Sequence, residues 1–406
     1  MWACNTQRNI YDPDENLYKK NNHDFNTKSI VYHQNDSISQ LYFTFSNENL
    51  LYKRPDTTTW FYARVKARYV VLKDIRSKQI LDSGSVALYD RQQENVIGKE
   101  LKGILKMKIR KGANYIVDLT IFDQNNKTKN TKFIEVEKVN SSSKQNFLMQ
   151  NTKGSVYTNY YLNAGDTICI SSAQNSQSSL RIDLFVPEFQ IAAPPYSANQ
   201  PKPLQYSPDS SFILQKINGQ IKTVVPQNGF YHIVAGSDNE GLTIFSVDNI
   251  FPGIKDETEM IKSTRFIMTN EEYNTCLQSL NKKKAIDEFW KDIGGSNERA
   301  RELLKSYYNR VQQANKLFTS YQPGWQSDRG MIYIVFGAPT TMYKYAWGEE
   351  WIYGVASQPN SVTFNFKKLL NPFSDNTLIL ERNDFFKNPW YFAVEYWRQG
   401  HIYSDN

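Results

Sequence analysis

Gly324-Trp325-Gln326-Ser327-Asp328-Arg329-Gly330-Met331-Ile332-Tyr333-Ile334-Val335-Phe336-Gly337-Ala338-Pro339 is the stretch on which the reading of the C-terminal part of this chain turns. Six consecutive apolar residues, Met331 to Phe336, lie between turn-forming residues on both sides. A short apolar run with such boundaries has the length of a strand buried on both faces. The pattern therefore predicts a turn, a central strand and a second turn. Ser327 and Asp328 are short polar side chains suited to bonding nearby backbone amides. Arg329 can pair with a carboxylate such as Glu349 or Glu350. Gly330 admits a positive φ or a close backbone approach, and Gly337 and Pro339 turn the chain after the strand.

Toward the N-terminus the stretch is preceded by helical periodicity. Thr269-Asn270-Glu271-Glu272 has the form of a capping box, with Thr269 and Glu272 each able to bond the other's amide. Tyr273, Cys276, Leu277 and Leu280, then Ala285, Ile286, Phe289, Trp290 and Ile293, follow at helical spacing until Gly294-Gly295. Ser296 or Asn297 caps a second helix. Its apolar stripe runs Ala300, Leu303, Leu304, Tyr307, Tyr308, Val311, Ala314, Leu317 and Phe318. The two helices are expected to pack on each other and on the central strand. Beyond Pro339, strands are expected at Trp351–Val355, Val362–Phe366 and Leu378–Leu380, forming a small sheet with Met331–Phe336 inside it. Asn388 and Pro389 open a last helix that carries Trp390, Phe392, Val394 and Trp397 before Gly400.

Gly324-Trp325-x-Ser327-Asp328-Arg329-Gly330, then Gly337-x-Pro339, then Glu350-Trp351-x-Tyr353, resembles the GWxTD domain family. The preceding helix pair and Trp397-Arg398-x-Gly400 resemble it too, so the resemblance spans roughly residues 255–403. Ser327 stands where the family name has Thr, and the hydroxyl is retained. The resemblance implies a secreted or envelope-associated bacterial protein. It implies no reaction.

The front of the chain is β-rich. Strands are expected at Leu41–Phe45, Trp60–Leu72, Ile80–Leu88, Leu101–Ile109, Tyr115–Phe122 and Phe133–Val136, with turn signals between them. In Trp60–Leu72 the residues Phe61, Ala63, Val65, Ala67 and Tyr69 share one face, and Arg64, Lys66 and Arg68 the other. This spacing predicts an antiparallel β-sandwich over 28–139. Lys138 to Gln145, with its three serines, reads as a linker. A second sandwich-like domain over 144–252 is built from Val156–Leu162, Thr167–Ser171, Leu180–Val186, Phe212–Ile217, Ile221–Val225, Phe230–Val234 and Thr243–Val247. Asn218-Gly219 signals a tight turn. Ala193-Pro194-Pro195 and Pro201-Lys202-Pro203 mark an extended crossing. The fold class is thus mainly β, with a smaller α+β C-terminal module over 255–406. Within that module the helices are expected at about 256–320, and the small sheet and terminal helix at about 324–400.

At the N-terminus, Met1-Trp2-Ala3-Cys4 has the form of the end of a lipoprotein signal, followed by a polar stretch. Cys4 is the expected lipidation site and residues 1–27 the signal remnant and flexible tether. Asp12-Pro13-Asp14-Glu15-Asn16 imitates a calcium loop, but Leu17 and His23 occupy the places of its glycine and glutamate. The chain has 406 residues, 22% charged and 40% hydrophobic, which suits folded domains with proper cores. Aromatic residues make up 14%, favouring strands. The mean hydropathy of −0.60 excludes an integral membrane protein built from apolar helices. The net charge of +7 is diffuse, with Lys282-Lys283-Lys284 its densest run, so no nucleic-acid partner is expected.

Chemistry-bearing patterns are sparse. His23, His33, His232 and His401 form no pair at ligand spacing, and neither a nucleophile elbow nor a phosphate loop occurs. Glu349 and Glu350 would face opposite sides of a strand, which rules them out as an acid–base pair. No metal, cofactor or catalytic residue is expected. Two readings of the motif remain. In one, Gly324, Trp325, Ser327, Asp328, Arg329, Gly330, Gly337 and Pro339 are structural punctuation. In the other, Trp325, Arg329, Trp351 and Tyr353 line a groove for a partner segment or a glycan. The expected function is a non-enzymatic, lipid-anchored outer-membrane protein of the bacterial envelope. It would serve as an interaction subunit of an assembly, transport or secretion complex, with other envelope proteins as partners. The alternative is a carbohydrate-binding or carbohydrate-processing surface protein.

Overall fold

The computed structural model describes residues 25–403, apart from 56–58, 75–78, 95, 173–177, 199–206, 236–239, 346 and 356–360. Cys4 and the calcium-loop imitation lie outside the described residues. Phe25, expected in the tether, is instead fully buried, and its carbonyl accepts from the Ser46 amide. The chain divides into two compact units. Of the described residues, those from Phe25 to Val186 and from Pro208 to Ser246 form the first, and 187–198 join those from Val247 onward in the second.

The first unit opens with β1 (Lys28–His33), β2 (Ile38–Ser46), β3 (Phe61–Leu72), β4 (Ile80–Gln92), β5 (Glu100–Lys108), β6 (Asn114–Asp123) and β7 (Lys129–Glu137). Two antiparallel sheets, ordered β1-β2-β5 and β4-β3-β6-β7, enclose one core. Alternation builds it: in β3, Ala63, Val65, Ala67, Tyr69 and Val71 are buried, while Arg64, Lys66 and Arg68 are exposed. β1 carries no such alternation, because Val31 enters this core while Ile30 and Tyr32 pack with Leu148 on the opposite face. A strand buried on both faces has no polar side to announce it.

The unit continues with β8 (Phe147–Asn151), β9 (Tyr161–Asn163), β10 (Thr167–Ser172), β11 (Ser179–Phe185), β12 (Ser210–Gln215), β13 (Gln220–Val224), β14 (Phe230–Val234) and β15 (Gly241–Val247). Sheets ordered β13-β10-β8 and β12-β11-β14-β15-β9 pack over a second core. Asn218 (φ 52°) and Gly219 (φ 78°) form the expected tight turn. That turn carries the chain from one sheet to the other, since β12 and β13 are not paired in one ladder. The strand expected over Val156–Leu162 shrinks to β9 and a single bridge from Val156 to Gln150.

Residues 138–145 are not a loose linker. Lys138, Ser143 and Gln145 are buried. Lys138 Nζ donates to Asn35 O (2.7 Å), Ile38 O (3.2 Å) and Ser39 Oγ (2.8 Å), closing the β1–β2 turn. The Glu137 carbonyl can only accept, so in the neutral ring His33 Nε2 carries the proton that faces it (3.2 Å). The Ser39 hydroxyl, accepting from Lys138, therefore donates to His33 Nδ1 (2.9 Å). Burial, and secondarily Lys138, lowers the His33 pKa from 6.5 to about 4. The unfolded chain therefore takes up a proton below pH 6.5 that the folded chain refuses until about pH 4. Stability falls as pH drops through that window, by up to about 3 kcal/mol. Melting scans at pH 7 and pH 4.5 should show a loss in the wild type that is smaller in His33→Gln. Equal losses in both would remove His33 from the acid response.

The second unit, apart from residues 187–198, holds α1 (Glu257–Thr264), α2 (Asn270–Gln278), α3 (Lys282–Gly294), α4 (Asn297–Phe318) and α5 (Asp328–Phe336). After these come β16 (Thr341–Tyr345), β17 (Gly348–Tyr353), β18 (Val362–Lys368), β19 (Leu378–Leu380) and α6 (Lys387–Arg398). The capping box of Thr269 and Glu272 forms as read. Asn281 caps α3, Ser296 caps α4, and Gly295 (φ 65°) ends α3 in the left-handed region. α6 starts at Lys387, which places Pro389 within its first turn. The antiparallel sheet β16-β17-β18-β19 shares one core with the helices.

The expectation of a central strand in the motif is overturned. Asp328–Phe336 is a helix, not a strand, and it belongs to no sheet. Every one of its nine residues is buried, so the periodic signature of a helix is absent from the sequence. An unbroken apolar run is compatible with either element, and the end signals decide it. Ser327 caps the start, Asp328 places a carboxylate in the first turn, and Gly337 (φ 88°) stops the helix.

Candidate functional site

Around α5 the motif residues form a buried polar network, some held by neighbours in the chain and the charged ones by partners from distant parts of the second unit. Gly324 to Gln326 is a single 3₁₀ turn laid against the end of α4. The Gly324 amide donates to Thr319 Oγ1 (2.9 Å), and the Trp325 amide to Asn315 Oδ1 (3.1 Å). A Cβ on Gly324 would lie 2.0 Å from Ala314 O, so only glycine fits this contact. The indole of Trp325 is buried and donates from Nε1 to Glu259 Oε1 (3.1 Å) on α1. Ser327 Oγ donates to Gly324 O (2.7 Å) and accepts from the Gly330 amide (3.0 Å), tying the turn to the helix start. Gly330 sits inside the helix, where a Cβ would be 1.9 Å from Gly324 O. Its role is close approach, not a positive φ.

Two ion pairs lie inside. Arg329 is 2% exposed and donates from Nη1 to Glu349 Oε1 (3.1 Å) on β17. Its Nη2 reaches Asn376 O (2.8 Å) and Oδ1 (2.6 Å), and its guanidinium lies 4.9 Å from the Phe318 ring centre. Glu349 Oε2 also accepts from Trp351 Nε1 (3.0 Å). Asn376 Nδ2 bonds Leu317 O and Thr319 O, carbonyls at the end of α4 that have no helical partner. The second pair joins both oxygens of Asp328 to Arg382, and Asp328 Oδ2 also accepts from the Leu380 amide (2.9 Å). Forked arginine–carboxylate geometry of this kind fixes orientation as well as charge.

The far end of α5 is closed by Arg310, which donates to Ile334 O (3.1 Å), Val335 O (3.1 Å) and Tyr403 O, and lies over Trp397. Burial pushes its pKa down to about 10, so it is still a cation at neutral pH. A cation there faces the negative end of the helix. Tyr353 Oη donates to Gly337 O (2.8 Å) and Trp397 Nε1 to Val335 O (2.9 Å). Pro339 is buried beside this corner. Elsewhere, Arg398 clamps Glu272 with two bonds and holds its carboxyl below the usual range.

Trp325, Arg329, Trp351 and Tyr353 are all 0–2% exposed, so their side chains line no open groove. Of the two carboxylates offered to Arg329, Glu349 is the partner; Glu350 instead accepts from Tyr345 Oη (3.1 Å). Sequence reasoning missed Arg382, Asn376, Asn315 and Arg310. Each is an ordinary polar residue whose role depends on a partner far along the chain. Among the described residues no group of three or more His, Cys, Asp or Glu side chains is placed to hold a metal ion.

What fold and site define is a β-rich protein whose C-terminal α+β unit is organised by a capped, fully buried helix locked by internal ion pairs. Residues 229–399 match the family described as the GWxTD domain, and that part of the chain is a GWxTD domain. The match begins at residue 229, just before β14, and so ahead of the helices where the resemblance read from the sequence began. No curated protein matches the chain.

Proposed function

We propose that this protein is a non-enzymatic, lipid-anchored envelope protein that acts as an interaction subunit of an outer-membrane assembly, transport or secretion complex. The observation that carries the interaction reading is where the aromatic residues fall. The motif's own rings are spent in the core, whereas Phe385, Tyr391, Phe392 and Tyr396 on and beside α6 face solvent. Clustered exposed aromatics on an otherwise well-packed unit are typical of contact surfaces. The anchor and the envelope setting rest on Cys4 and on the family resemblance. In membrane fractionation Cys4→Ser is expected to move the protein to the soluble fraction, and detergent extracts of the wild type are expected to yield stable partners. Unchanged membrane association of Cys4→Ser would refute the anchor, and a partner-free monomer would count against the subunit role.

A second reading, glycan binding, is favoured by one feature. Tyr345 and Trp347 stack with ring centres 4.8 Å apart at the β16 hairpin, Tyr343 lies tilted beside them, and Trp347 is exposed. A glycan array with the wild type and Trp347→Ala tests it, and a blank array ends it.

A further inference from the structure

Residues 187–198 are placed by sequence between β11 and β12, yet they belong to the second unit. The excursion has a closed base, with the Val186 amide donating to Asp209 Oδ2 (2.7 Å) and the Asp209 amide to Leu184 O (2.9 Å). Within the second unit the segment is held by backbone hydrogen bonds, by Ile191, Ala192 and Tyr196, which pack on the core, and by Pro195, which is buried. The Ala192 amide donates to Gln326 O (3.0 Å), the variable position of the motif turn. Ala193 O accepts from Arg382 Nη2 (3.1 Å), the arginine that pairs with Asp328. Pro195 O accepts from the Asn383 amide (3.1 Å). A turn from Pro194 O to the Ser197 amide (2.9 Å) ends the run.

Two aromatic clamps flank these bonds. Phe189 packs on Tyr321 with ring centres 5.8 Å apart. Tyr196 packs on Tyr391 at 5.5 Å, with their hydroxyls 3.0 Å apart. Prolines restrict Ala193 and Pro194 to extended conformations, so little order is lost when such a segment docks. Backbone bonds for affinity, with side-chain pockets on either side for selectivity, are how domains bind extended peptides. The strap is also shallow: Gln190 is exposed, and Phe189, Ile191, Ala193 and Tyr196 keep part of their surface in solvent.

We propose that the GWxTD unit is a receptor for an extended Ala-Pro-Pro-aromatic segment, and that residues 187–198 occupy its groove in cis until a like segment of a partner protein displaces them. This deepens the interaction reading by naming the surface and the partner's chemistry. It does not depend on the anchor. The tethered strap has a high effective concentration, so a free peptide competes poorly against it.

The test uses the full chain with residues 187–198 replaced by a Gly/Ser stretch of equal length, and a fluorescent peptide of residues 186–198 followed by anisotropy. The replaced chain should bind the peptide, and the wild type about ten-fold or more weakly. Tyr391→Ala in the replaced chain, or Ala192→Pro in the peptide, should weaken binding. A folded replaced chain that ignores the peptide overturns the proposal, as does equal binding to the wild type. Should the replaced chain fail to fold, Ala192→Pro in the full chain removes the amide donated to Gln326 and loosens the strap. Peptide binding to that variant then supports the proposal, and none overturns it. A concentration-dependent dimer dissolved by the peptide would overturn the partner assignment in favour of a second copy. Membrane fractionation of the same variants keeps this outcome separate from that of the anchor.

Discussion

Arg329→Met should destabilise the second unit by about 3–5 kcal/mol, because it leaves Glu349 charged and buried without its cation. The side chains of Arg329 and Glu349 are 3% and 4% exposed, so water cannot take over the lost contact. Asn376 also loses the donor to its carbonyl and side-chain oxygen. The double variant Arg329→Met with Glu349→Gln should recover part of the loss. It removes the orphaned charge and still offers an oxygen to Trp351 Nε1. Urea denaturation of the single and double variants measures this. A double variant less stable than Arg329→Met alone would show that the buried charge is not the dominant cost.

The second large effect is steric. In Gly330→Ala the new methyl would sit 1.9 Å from Gly324 O and 3.0 Å from Trp325 Cα, both backbone atoms. Relief requires the 3₁₀ turn to move away from α5, which breaks the Ser327 cap and shifts Trp325 within the core. A cost of about 3 kcal/mol or more is expected, at the upper end of overpacking effects. Gly295→Ala is the internal control. That glycine has φ 65° but nothing within 4 Å of a Cβ, so only the backbone penalty of about 1 kcal/mol applies. Thermal melts that rank Gly295→Ala as equal to or worse than Gly330→Ala would contradict the close-approach role.

The two positions also show how far the sequence is readable. Gly295 was legible as a helix stop because its role is local: a left-handed residue after a periodic apolar stripe. Gly330 was legible only as a choice between positive φ and close approach, since the obstructing carbonyl belongs to a neighbouring turn. The same division runs through the polar residues. The Thr269–Glu272 capping box lies within four residues and formed as read. Arg329 had two adjacent candidates on one strand, and the facing of β17 chose Glu349. Asp328 and Arg382 are separated by 54 positions and carry no signal of their pairing.

By itself the sequence determined the β-rich front with its alternating strands, the capped helices, and a motif specific enough to name the domain. These are properties of neighbours in the chain, set by side-chain period, turn chemistry and caps. Only the tertiary structure decided that Asp328–Phe336 is a helix, that the motif's charges face inward, and that a proline-containing strap from the middle of the chain lies on the motif turn. The physical reason is shared. When a segment is buried on every side its period vanishes, and when a polar group's partner is distant its fate depends on which surfaces meet.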